Sequence, residues 1–117
     1  MCSYQQSQSN RKGSFFIEVK RMIPITVKVA GVDYVVEYKD FIEINGNRNY
    51  QGACWYGESK IEIMNDLSET KKQQVFVHEL VHAIFNEAGF DEQDEDTVNR
   101  IGIVLHQVLR DNKIQFD

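Results

Sequence analysis

Apolar and polar residues alternate through the first half of the chain, and the period changes near residue 65. FFIEVK, at 15–20, and ITVKVAG, at 25–31, alternate as strands with one buried face do. Pro24 lies between them; it has no amide hydrogen to give a ladder and interrupts any central strand. Gly31 with Val32 and Asp33 offers a tight turn, and DYVVEY is its return strand. NGNRNYQG is a loop by composition. CWYG and KIEIMN then form a further pair of strands around Gly57, Glu58 and Ser59.

From Asn65 onward the spacing is helical. Asp66 or Ser68 suits an N-cap, with Glu69 in the first turn where the helix dipole favours a negative charge. The helix is expected to run to about Ala88, with Gly89 as its stop and Phe90 packing back. FDEQDED is an acidic turn. A second helix is expected from about Asp94 to Arg110, with Val98, Ile101, Leu105, Val108 and Leu109 as its apolar stripe. Strands followed by a helical hairpin predict the α+β class. Residues 14–117 read as a single domain. Residues 1–13, rich in Gln, Ser and Asn, read as a disordered tail.

The totals narrow the function classes. A chain of 117 residues with 42% hydrophobic content fits one domain with a modest core. Its net charge of -5 and scattered basic residues argue against a nucleic-acid partner, which needs a basic surface. No apolar run reaches the roughly 20 residues that span a bilayer. The first residues have no apolar segment of the secretory kind, and Cys2 and Cys54 do not make a disulfide framework. A cytoplasmic location is therefore expected, with no membrane partner.

The chemistry is concentrated in VFVHELVHAIF, at 75–85. Ionisable groups are costly to bury without partners. Yet His78, Glu79 and His82 sit inside an apolar helix. His78 and His82 are one turn apart on one face, so both imidazoles can hold one metal ion, and Zn2+ is the usual ion for such a site with an open position. Glu79 lies on the flank, placed to take a proton from a water and later give it to a leaving amine. A single histidine on a helix is ordinarily a satisfied polar residue. The H-E-x-x-H spacing fixes three uncommon residues at once. Other candidates carry less. Tyr50 or Tyr56 could supply a hydroxyl to an oxyanion, Trp55 suits the core or a cleft wall, and Cys54 is a small buried residue. No phosphate-binding glycine loop and no Ser or Cys nucleophile motif is present.

HELVH, with its flanking strings VKVAGVDYVVEY, GACWYGESKIEIMNDLSETKKQQVF and EDTVNRIGIVLHQVLRDN, resembles the small phage- and prophage-encoded HExxH metallopeptidases akin to the ImmA/IrrE group of gluzincin-like proteins. The resemblance covers most of residues 24–114. It implies a zincin-like fold: a small antiparallel sheet on the active-site helix, and a second helix that brings a third ligand. It implies a cytosolic protein of a bacterium or its phage that hydrolyses peptide bonds in a protein substrate, such as a repressor. The third ligand it points to is an acidic residue near the start of the second helix, here Glu95. Asp94, Asp96 and His106 are the alternatives. Gly102 lies on the same stripe as Glu95 and His106, and would let the two helices approach closely. KIEIMN is the expected edge strand along which a substrate would lie. The competing reading is a non-catalytic module, regulatory or binding, that zinc stabilises. Glu79 separates the two, because a structural site has no use for it.

Overall fold

The computed structural model describes residues 22–116. The tail at 1–13 and the strand expected over FFIEVK lie outside the described residues. Within them run four strands, β1 (Thr26–Val29), β2 (Val32–Lys39), β3 (Gly52–Trp55) and β4 (Lys60–Met64), and then two helices, α1 (Glu69–Glu87) and α2 (Glu95–Asp111). The chain is α+β, as its pattern predicts. Among the described residues, no helix is long and apolar enough to cross a membrane.

The strand order is β1-β2-β4-β3. The two hairpins, β1–β2 and β3–β4, are antiparallel, but they join through a parallel β2–β4 ladder. The sheet is therefore mixed and not purely antiparallel. Sequence alternation sets which face a residue takes but says nothing about its neighbouring strand. Ala30 and Gly31 make the first hairpin turn, with φ of 52° and 83°, so Val32 already belongs to the return strand. Positive φ at both turn residues matches the twist of the flanking strands.

This order also corrects the expected substrate edge. KIEIM is β4, an interior strand with β2 on one side and β3 on the other. Ile61 and Ile63 are fully buried on the core face. Glu62, on the opposite face, is also buried: Trp55 Nε1 donates to it at 2.9 Å, and Lys60 Nζ lies 3.4 Å away. Among the described strands, the outer one on this side is β3.

The three layers are the sheet, α1 and α2. Tyr34, Val36, Ile61 and Ile63 of the sheet pack against Val75, Phe76, Leu80 and Ala83 of α1. Each of the buried Val, Ile, Leu and Phe side chains among them contributes about 1.5–3 kcal/mol relative to exposure. Ser68 caps α1 by accepting from the Lys71 amide at 3.2 Å, and Ala88 closes it ahead of Gly89, whose φ is 96°. Asp94 caps α2, accepting from the Thr97 amide and hydroxyl.

Among the described residues, α2 packs on α1 and on no strand. Its buried line is Val98, Gly102 and His106, with Leu105 half-buried. Ile101 and Leu109 of the expected stripe are about half exposed, at 44% and 50%. The helix is turned so that Gly102 meets α1: a Cβ there would lie 3.6 Å from the His78 Cα. Close backbone approach at that point draws the glycine inward and leaves part of the apolar stripe without cover.

Candidate metal centre

α1 lies between the sheet and α2, and its faces divide accordingly. Val75, Phe76 and Leu80 serve the sheet side. His78 and His82 flank the cleft between α1, α2 and β3, a cavity of about 1120 Å³. Their rings meet edge-on with centroids 5.0 Å apart, as one-turn spacing on a single face requires.

Glu95, the first residue of α2, reaches both. Its Oε1 is 2.9 Å from His78 Nε2, and its Oε2 is 3.4 Å from His82 Nε2. One ligand atom from each of the three residues falls within 4.8 Å of the others. Asp94 and Asp96, the neighbouring carboxylates, are engaged elsewhere. Asp94 caps α2, and its carboxyl is held below the usual range by the Thr97 side chain and amide. Asp96 pairs with Arg100 at 2.9 Å.

His106 is not part of this group, although it lines the same cleft. It is buried at 8% exposure, and its Nε2 has no hydrogen-bond partner among the described residues. Burial, with Arg110 nearby, pushes its pKa down. It sits one turn beyond Gly102, further along α2 than the point that faces His78.

Glu79 lines the same cleft on its β3 side. It is buried, and a Cβ on Gly52 would lie 3.1 Å from its Oε2. Burial raises its carboxyl to about 7; His82 opposes the rise and Glu95 adds to it. A carboxyl poised near neutrality can both accept and return a proton.

Two polar groups extend the contacts of His82. Gln93, in the acidic turn, lies 2.5 Å from His82 Nδ1 through its Oε1, and its Nε2 donates to the Tyr56 hydroxyl at 3.0 Å and to the His82 carbonyl at 3.3 Å. Both tyrosines considered from sequence line the cleft, and Tyr56 is linked to His82 through Gln93. Burial raises the Tyr56 phenol, which keeps it protonated. Trp55 is a wall of the cleft, and Cys54 is half-buried beside it, its thiol pushed up to about 12 chiefly by burial. Gln93 escaped the sequence reading. A glutamine in a polar turn has no periodicity and no motif to mark it.

No family model, no curated protein and no solved structure matches this chain.

Proposed function

We propose that the chain is a zinc-dependent endopeptidase acting on a protein or peptide substrate. The observation that carries the reading is the convergence of His78, His82 and Glu95, from two helices, on one point. The donor set fits the ion. Two imidazole nitrogens and a carboxylate oxygen are zinc ligands, and they leave a fourth position open. Ligands of a tetrahedral zinc lie roughly 3.3 Å apart, from metal–ligand distances near 2.0–2.1 Å. One ligand atom from each of the three residues lies within 4.8 Å of the others, near enough for one ion to draw them together.

A zinc ion in this place supplies Lewis acidity, polarising a carbonyl and acidifying a water. The remaining work falls to the chain. Glu79, outside the ligand group and buried beside it, takes the proton of the attacking water and returns it to the leaving amine. The neutral Tyr56 hydroxyl is a donor for charge that develops on the carbonyl oxygen. A substrate lies extended along β3, the edge strand that lines the cleft, and pairs with it by main-chain hydrogen bonds. This assigns to β3 the role first expected of KIEIMN.

One observation favours a second reading, a non-catalytic regulatory or binding module that zinc stabilises. Because α2 packs, among the described elements, on α1 alone, an ion shared by Glu95 and the two histidines would staple the outer helix in place. The two readings part at Glu79. Zinc-loaded wild-type protein is incubated with a peptide library, and cleavage is read by mass spectrometry. The peptidase reading expects cleavage that falls at least about 100-fold in Glu79→Gln, with zinc retained. Equal cleavage by Glu79→Gln contradicts the assignment of the base, and no cleavage by the loaded wild type favours the staple.

A further inference from the structure

Gln93 has three contacts, and one arrangement of donors and acceptors satisfies them all. The backbone oxygen of His82 can only accept. The Gln93 group 3.3 Å from it is therefore the amide nitrogen, which also reaches the Tyr56 hydroxyl at 3.0 Å. That leaves the Gln93 carboxamide oxygen against His82 Nδ1. This oxygen too can only accept, so Nδ1 carries a proton. In a neutral imidazole Nε2 then bears a lone pair. The lone pair faces Glu95 Oε2, another acceptor, at 3.4 Å. Two acceptors turned on one another are best reconciled by a cation between them. The same contacts orient Tyr56. Its oxygen accepts from Gln93, so its own hydrogen is free for the cleft.

We propose that Gln93 is a positioning residue that fixes His82 as the Nδ1–H tautomer, aiming its Nε2 lone pair at a divalent cation shared with His78 and Glu95, and that it leaves Tyr56 as a hydrogen-bond donor to the cleft. The proposal rests on the metal reading above. It gives Gln93 the task of a residue behind a ligand: to set the tautomer and ring orientation through the nitrogen that does not bind. A glutamine serving only to hold the turn between the helices would leave the imidazole proton indifferent to its replacement.

The test uses the full chain labelled with nitrogen-15. Long-range proton–nitrogen correlation spectra of the metal-free protein at mildly alkaline pH report which nitrogen of His82 is protonated, and competition with a calibrated chelator reports zinc affinity. The wild type should show Nδ1–H. Gln93→Leu should move the proton towards Nε2 and weaken zinc about 10–100-fold. Gln93→Glu, whose carboxylate also accepts from Nδ1–H though it cannot donate to the His82 carbonyl, should keep the tautomer. An Nε2–H pattern in the wild type overturns the proposal without any variant having to fold. So does wild-type zinc affinity in Gln93→Leu. A wild type that shows Nδ1–H and takes up no zinc overturns the metal reading, and this proposal with it, by a result distinct from the other two.

Discussion

Two glycines, each facing α1, should respond in opposite directions to one added methyl group. At Gly52 a Cβ would stand 2.4 Å from Val75 Cγ1, 3.1 Å from Glu79 Oε2 and 3.2 Å from Glu79 Cγ. Carbon atoms in contact prefer roughly 3.5–4.0 Å. Val75 is buried at 8% exposure, and a β-branched residue in a helix has one strongly preferred rotamer, so it has nowhere to swing. Either β3 or α1 must shift. Overpacking of this kind costs about 1–3 kcal/mol, and the depth of the clash places Gly52→Ala in the upper half of that range. At Gly102 the added Cβ meets the His78 Cα at 3.6 Å, an ordinary contact. There the loss of helix-interior glycine should dominate, stabilising Gly102→Ala by up to about 1 kcal/mol. Urea unfolding of the metal-free proteins measures both. With a slope of about 1 kcal/mol per molar for a domain this small, the midpoint should fall by about 2–3 M for Gly52→Ala and rise by up to about 1 M for Gly102→Ala. The first substitution should also displace the Glu79 carboxylate, lowering peptide cleavage while zinc stays bound. A Gly52→Ala protein within about 0.5 kcal/mol of wild type would refute the packing argument.

Zinc affinity should drop far more in Glu95→Ala than in His106→Ala, because only Glu95 joins the two histidines; the reverse order in chelator competition would move the third ligand to His106. Between pH 4.5 and about 7 the folded, metal-free chain holds a proton on Glu79 that the unfolded chain has released, so raising the pH through that window should weaken the fold. The loss should approach roughly 3 kcal/mol and disappear in Glu79→Gln, and urea midpoints with an unchanged pH slope in that variant would contradict it. Cys54, its thiol pushed up to about 12, should resist alkylation at neutral pH in the native state and react once the chain is unfolded; rapid native labelling at that residue, mapped by peptide mass, would count against its burial.

What the sequence made legible and what it hid have different physical origins. α1 was readable because its apolar positions keep a helical period, Ser68 caps its start and Gly89 marks its end. His78, Glu79 and His82 follow from one spacing on one helix, so knowing the helix was enough to place them. Strand order was hidden, because alternation in DYVVEY or KIEIM fixes a face and not a neighbour. KIEIMN, just before α1, is expected at an edge, yet Glu62 within it is covered by Trp55 and two lysines, which only the fold reveals. The α2 stripe was misjudged at Ile101 and Leu109 because Gly102, with no apolar side chain, sets the line of closest approach. Gln93 and the tight fit at Gly52 arise between segments distant in sequence, and neither leaves a local pattern.

The central claim is that His78, His82 and Glu95 hold one zinc ion. Its most direct test is a titration of metal-free wild-type chain with Zn2+ against a calibrated chelator, beside the double variant His78→Ala/His82→Ala. The account predicts about one zinc per chain for the wild type, with three protein ligands and an open position, and loss of nearly all of that binding in the double variant. Wild-type protein that takes up no zinc, or a double variant that binds it as tightly, would contradict it.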